Sequence, residues 1–413
     1  MMRLAICVLL VFASHAFAGM GCEFDLRSRR PAQRSFFSPT GLTTFESPAT
    51  GRELAYDFAT GHMDTQPVVF LHGLGEDMEG LREVQNEADA DGFGIARPDL
   101  PFHGASLDIY MRKHATLPAE LNYQDDVDDV VALIEHLNLK DVIIFGHSRG
   151  AAIGFKVASA LRSHGARCSL LVMAAAYTSS IDSFLADYYN SPLPLSDASN
   201  DIAKRTVEMV KRTSFYGGVV SNIMQPLFLM SNYMVISARG INDSLKDLNA
   251  KIAQMFSLDK ASQSVVDFVF QPFLRVEFRR YFTLMLAADP DRPSLSEQID
   301  INVRVDAAVK VTRSMKELNL LSRSTKLLSD MPPILILGGE RDSLVLPAQL
   351  KELADRFDAS GLKYKLIFLK GDKAHHNFVK SMARETWQAV RAYQEELAGK
   401  VSALNAKSRS AGR

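Results

Sequence analysis

The sequence predicts an α/β protein built on a mostly parallel, doubly wound sheet of about eight strands. Three observations carry that prediction. Short apolar runs without polar alternation recur at 68–71, 142–145, 169–174 and 334–337, as strands covered on both faces require. Helix-period stretches separate them, the clearest being Val127, Val130, Val131 and Ile134 at i, i+3, i+4 and i+7. Strand and helix alternate at the spacing of βαβ units, which puts helices on both faces of a parallel sheet.

At 413 residues the chain is long enough for one large domain or two. Hydrophobic content is 47%, charged content 23% and formal net charge -1, a balance with no basic or acidic excess to attract nucleic acid or a polyanion. The N-terminus departs from that average. Arg3 precedes the almost wholly apolar run 4–13, and Ala16-Phe17-Ala18 offers small residues at the two positions a signal peptidase reads. This predicts an export signal over 1–18, cleaved after Ala18, and hence a periplasmic or secreted protein. An uncleaved anchor is the alternative, but the run is shorter than the ~20 residues of a membrane span. No other stretch reads as a span. Cys7 leaves with the signal. Cys22 and Cys168 remain, either paired in an oxidising compartment or as two free thiols with Cys168 buried at a strand entrance. Neither has a partner at metal-ligand spacing, so no metal site is expected.

Taken in order, 19–40 carries Arg27, Arg29, Arg30 and Arg34 without periodicity and reads as an irregular arm. The segments 42–45 and 53–58 flank the turn cluster Ser47-Pro48-Ala49-Thr50-Gly51 and predict an antiparallel hairpin that opens the core at 41. The strand at 68–71 ends in His72-Gly73-Leu74-Gly75, a helix is expected over 78–90, and a strand over 93–98 ends in Asp99-Leu100-Pro101-Phe102-His103-Gly104. After the helix around Val130 comes Val142-Ile143-Ile144-Phe145, running directly into Gly146-His147-Ser148-Arg149-Gly150. That pattern, G-x-S-x-G between a strand and the helix expected over 151–163, is a nucleophile elbow, with Ser148 held at the apex of a strained turn and its hydroxyl exposed. Gly146 and Gly150 are needed because strand and helix pass too close for side chains.

The alternation stops at 177. From there to 330 the sequence shows helical patterns rich in Met and Phe, punctuated by prolines, with no convincing buried strand, and it reads as an insertion. The core resumes over 331–400: a strand at 334–337, a helix carrying Leu350, Leu353, Ala354 and Phe357 on one face, a last strand at 364–369 and a last helix over 377–397. A basic, frayed tail is expected at 401–413.

A serine hydroxyl needs a base to take its proton and an acid to orient that base. Both belong at the C-terminal ends of later strands, the edge where open α/β sheets bind ligands. Glu340-Arg341-Asp342 follows one such strand and His375-His376 follows the next, in the order serine, acid, histidine. Arg149, directly after the nucleophile, supplies one backbone N–H of an oxyanion hole.

On these motifs (His72-Gly73; Asp99 with His103-Gly104-Ala105-Ser106; the elbow; Asp342 with Val345 and Pro347; the terminal histidine) the chain resembles the α/β-hydrolase superfamily over nearly all of its mature length. The resemblance implies Ser148 as nucleophile and Asp342 as acid, with Glu340 less favoured. It implies His376 as base, from its His-x-Phe context, with His375 as the alternative. The second oxyanion N–H falls to Leu74, and 177–330 becomes a cap between the sixth and seventh strands that shapes the pocket. Epoxide hydrolases and haloalkane dehalogenases of the superfamily attack with an aspartate at the elbow, so Ser148 disfavours both. Arg149 departs from the usual Met or Gln: it is either a cation selecting an acidic substrate or a side chain lying over the first turn of its helix. Asp99 and His103 are expected to hold a loop.

The sequence therefore reads as an exported serine hydrolase of small ester or lipid-like substrates with an apolar acyl or alcohol part, needing no cofactor or metal. An acyltransferase, thioesterase or amidase using the same three residues is the near alternative. A catalytically silent protein-binding member of the fold is the distant one. Oligomeric state leaves no signal.

Overall fold

Burial on both faces explains why the apolar runs become strands. In β3 (Val68–Leu71), Val68 and Phe70 enter one hydrophobic layer while Val69 and Leu71 enter the other, because successive side chains point to opposite faces. The same split separates Ile143 and Phe145 from Val142 and Ile144 in β5 (Asp141–His147). The computed structural model describes residues 43–62, 65–178, 301–315, 318, 320, 331–342 and 345–411. All of them belong to one unit, 35–184 with 268–413; a second unit, 1–34 with 185–267, lies outside the described residues. So do the export signal expected at 1–18, the arm at 19–40 and most of the insertion at 177–330.

The described strands form one eight-stranded sheet in the order β1-β2-β4-β3-β5-β6-β7-β8. The predicted hairpin is β1 (Thr43–Glu46) with β2 (Glu53–Ala59), antiparallel to each other. β2 also pairs antiparallel with β4 (Ile95–Pro98). β3, β5, β6 (Arg167–Ala174), β7 (Ile334–Gly339) and β8 (Tyr364–Leu369) complete a parallel run with β4. One face is covered by α3 (Tyr123–His136), α4 (Arg149–Ala160) and α6 (Pro347–Ala359), where Phe155 stacks on Phe357 at 5.6 Å. The other is covered by α1 (Arg82–Ala90) and α8 (Ala383–Ala411), through Val84, Ala88, Trp387 and Val390. Helix α5 (Ile301–Ser314), inside the insertion expected at 177–330, docks on α2 (Gly104–Lys113), with Arg304 paired to Asp108 at 2.7 Å.

Four elements differ from the sequence reading, one being the last helix expected over 377–397, which is two, Phe378–Ser381 and Ala383–Ala411. α2 was not anticipated, because the helix start is capped from a distance: its Ala105 N–H donates to Asp99 Oδ2 at 2.6 Å, while His103 at the N-cap position offers no side-chain bond. The helix expected over 78–90 splits into a 3₁₀ turn, Met78–Leu81, and α1. The tail expected to fray is helical through Ala411, since no Gly or Pro interrupts 400–411 and Ala, Leu and Lys favour the helix. Cys168 is a buried free thiol, pushed up to about 12 by burial; Cys22, the partner of the paired reading, lies outside the described residues. No helix among the described residues is long and apolar enough to cross a membrane.

Candidate active site

The C-terminal ends of β3, β5, β7 and β8 bring the expected residues to one edge of the sheet. Ser148 has φ 53° and ψ -118°, a conformation a side-chain-bearing residue adopts only under constraint. The constraint is visible. Ser148 N–H donates to Ala174 O at 2.8 Å, and its carbonyl accepts from Ala151 and Tyr177 at 3.1 Å each. A Cβ on Gly150 would lie 2.1 Å from Leu71 O, and one on Gly146 would lie 2.4 Å from Ala151 Cα. The two glycines let α4 leave β5 at this angle, as the motif requires.

The two loops after β7 and β8 meet. His376 Nδ1 lies 3.0 Å from Asp342 Oδ2 and 3.2 Å from Oδ1, so the ring donates its Nδ1–H to the carboxylate. Asp342 Oδ1 also accepts from Val345 N–H at 2.9 Å, which fixes the carboxylate plane. The Asp342 side chain is wholly buried. Burial works against charging His376, but the Asp342 and Glu76 carboxylates outweigh it and leave the imidazole above its ordinary value. The alternatives separate cleanly: His375 is exposed, and Glu340 is turned to Gly371 N–H at 2.9 Å. Among the described residues the His376 ring hydrogen-bonds to Asp342 and not to the Ser148 hydroxyl. Neither Leu74 N–H nor Arg149 N–H donates to any group among the described residues, and a Cβ on Gly73 would sit 3.3 Å from Ser148 Cβ. The Gly73-Leu74 turn therefore lies against Ser148.

His72 positions that turn. The Leu100 N–H can only donate, so His72 Nε2, 2.9 Å away, accepts; Nδ1 then carries the proton and donates to Gly73 O at 2.9 Å. Burial holds this neutral ring down to about 4. His103 is likewise depressed by burial, then by His72 and Arg149, and its Nδ1 donates to Pro101 O at 2.9 Å. Asp99 accepts from Met78 N–H at 2.6 Å and from Ala105 N–H, so both residues hold loops, as expected.

Arg149 corrects one expectation. Its guanidinium is fully enclosed and paired with Asp126 of α3, so it is not a free cation offered to an acidic substrate. Three residues that motif reading passed over stand beside the site. Glu76 is buried after the His72-Gly73-Leu74-Gly75 turn, His147 is buried before Ser148, and Lys380 lies on α7 (Phe378–Ser381). A carboxylate inside a glycine-rich turn was the available signal for Glu76. Among the described residues no cluster of three His, Cys, Asp or Glu is arranged to hold a metal ion.

The sequence profile of the family described as alpha/beta hydrolase fold matches residues 66–378. A Haemophilus influenzae protein named "Putative esterase/lipase" is 36% identical over 95 residues, covering 23% of this chain and 30% of the relative. A haloalkane dehalogenase of Mycolicibacterium paratuberculosis is 32% identical over 99 residues, covering 24% of this chain and 31% of the relative. The chain thus spans about a third of the length of these curated relatives. Among solved structures, a thermophilic esterase from Thermogutta terrifontis aligns at 19% identity and TM-score 0.45, covering 86% of this chain and 98% of that one. By the match across most of its length, the chain belongs to the α/β-hydrolase fold family.

Proposed function

We propose that the protein is a serine hydrolase of carboxylic esters that works through an acyl-enzyme on Ser148. The observation that carries this is the His376–Asp342 hydrogen bond at the sheet edge where the strained Ser148 ends β5. In this reading Ser148 Oγ attacks the ester carbonyl while His376 Nε2 takes its proton. Asp342 holds the tautomer that leaves Nε2 free to accept, and stabilises the imidazolium. The N–H groups of Leu74 and Arg149 receive the charge developing on the carbonyl oxygen. His376 returns the proton to the leaving alcohol, and water releases the acid by the same steps. The Haemophilus influenzae relative's name supports an ester substrate. The dehalogenase likeness weighs less, because the elbow here carries a hydroxyl. The small Ala16-Phe17-Ala18 site supports action outside the cytoplasm.

Labelling by a fluorophosphonate, abolished in Ser148→Ala, is the expected result, together with a loss of about 10⁴- to 10⁶-fold in kcat on a chromogenic ester. Folded wild-type protein that takes no label would overturn the reading. An ester series of increasing acyl length then reads the pocket; equal rates across it would remove the apolar acyl preference.

A further inference from the structure

One buried carboxylate touches all three segments that carry the chemistry. Glu76 Oε2 accepts the Gly73 N–H at 2.8 Å, which braces the turn presenting Leu74. The same oxygen lies 3.1 Å from His147 Nδ1, on the residue before the nucleophile. Glu76 Oε1 lies 2.8 Å from Lys380 Nζ, on the short helix that follows His376. His147 completes the circuit: its Nε2 is 3.0 Å from the backbone carbonyl of His376 itself, and the two rings are 5.0 Å apart.

The hydrogen-bond company of His147 is unusual. A neutral imidazole has one donor and one acceptor nitrogen. Here one nitrogen faces a carboxylate and the other a carbonyl, and neither can donate. His147 is 1% exposed and Glu76 6%, so water cannot substitute for either partner.

We propose that Glu76, His147 and Lys380 form a positioning unit that grips the His376 backbone and the Gly73-Leu74 turn in register with Ser148, and tunes the base by the opposed charges of Glu76 and Lys380. The role rests on the ester-hydrolase reading of Ser148 and His376. The groups facing His376 are Asp342 after β7, Glu76 after β3, His147 at the end of β5 and Lys380 on α7. Asp342 and Glu76 favour its protonated form, while Lys380 opposes it. Burial would raise the Glu76 carboxyl, but Lys380 and His147 hold it well below the ordinary range, so it stays charged wherever His376 titrates. None of the three residues touches the reacting atoms. A salt bridge with a merely structural role would affect melting but not displace the acid limb of the rate profile in opposite directions.

The test compares wild type, Glu76→Gln, Lys380→Met and His147→Phe in the full chain, reading kcat and KM for a p-nitrophenyl ester across pH. Glu76→Gln and His147→Phe are expected to lower kcat by about ten- to a hundredfold with KM little changed. The acid limb of kcat/KM should move down by roughly half a unit to one unit in Glu76→Gln and up by a similar amount in Lys380→Met. Limbs that stay in place, or move the same way in both variants, would overturn the proposal. Should Glu76→Gln not fold, Lys380→Met alone still decides by the upward shift, since its side chain is 23% exposed. A second readout needs no substrate: the low-field proton resonance of the His376 Nδ1–H bonded to Asp342, titrated in each variant. If wild type cleaves no ester yet these titrations shift oppositely, the ester reading falls and the positioning unit stands. If they coincide with wild type, the unit falls.

Discussion

Two pairs of histidines occupy the same edge of the sheet, held by opposite kinds of neighbour. His72 and His103, in the loops after β3 and β4, are enclosed among backbone groups, and burial keeps both rings neutral. His147 and His376, beside them at the ends of β5 and β8, each face a carboxylate. The difference teaches what each side is built for. His72, a neutral ring wedged between an N–H and a carbonyl, is a rigid spacer whose job ends with folding, and His103 is held through the Pro101 carbonyl. A ring against a carboxylate can gain a proton without losing its partner, which a general base must do. Separate disruption of the two sides should therefore damage different properties.

The largest expected effect lies on the ionic side. Asp342→Asn keeps the shape of the buried acid but favours the wrong tautomer of His376, so kcat should fall by about 10³- to 10⁴-fold with the melting temperature little changed. Steady-state kinetics beside thermal unfolding measures both; a comparable loss from His72→Asn would erase the contrast.

The neutral side should show itself in stability against pH. His72 binds its proton near 6.5 when unfolded and near 4 when folded. Its contribution is intact above about 6.5 and is lost as pH falls toward about 4, because the unfolded chain then binds a proton that the folded one refuses. The loss amounts to about 3 kcal/mol at pH 4 from this ring, and His103 adds to it in the same direction. The depressed carboxyl of Glu76 acts lower, as pH falls below its unfolded value of about 4.5. Urea unfolding between pH 7.5 and 5 covers the range in which His72 takes up its proton on unfolding. His72→Asn should flatten the slope there by up to one proton, whatever it does to stability at neutral pH.

How much of this was legible depends on whether the determining neighbours are local. β3 and β5 could be read because burial on both faces writes itself into consecutive residues such as Val68-Val69-Phe70-Leu71. Ser148 could be read because the elbow is a contiguous strand, turn and helix. Order after later strands narrowed the acid to Glu340 or Asp342 and the base to His375 or His376, and the resemblance to the superfamily pointed to Asp342 and His376. α2 was missed because its cap, Asp99, sits outside the helix and accepts from Ala105 across a turn. Arg149 was noticed as odd, but its partner Asp126 is 23 residues away on another helix, so a buried pair looked like a free cation. Glu76 and His147 are 71 positions apart, and His147 reaches a backbone oxygen 229 positions on. No local pattern encodes a hydrogen bond to a main-chain carbonyl, since every residue has one.

The smallest expected effect is the sharpest check on which histidine belongs to the ionic pair. His375 and His376 are adjacent in sequence, yet His375 is exposed, and its backbone carbonyl accepts from Phe378 N–H at 3.1 Å at the start of α7. Alanine keeps that carbonyl. His375→Ala should therefore leave kcat/KM within about twofold and stability within about 0.5 kcal/mol, as surface substitutions away from such features usually do. His376→Ala should remove the activity instead. Were His375→Ala to cost tenfold or more in kcat, the loop after β8 would have to turn so that the exposed ring replaced the enclosed one against Asp342. The carbonyl held by His147 would then belong to a spacer rather than to the base, and the two pairs of histidines would no longer differ in the way their neighbours imply.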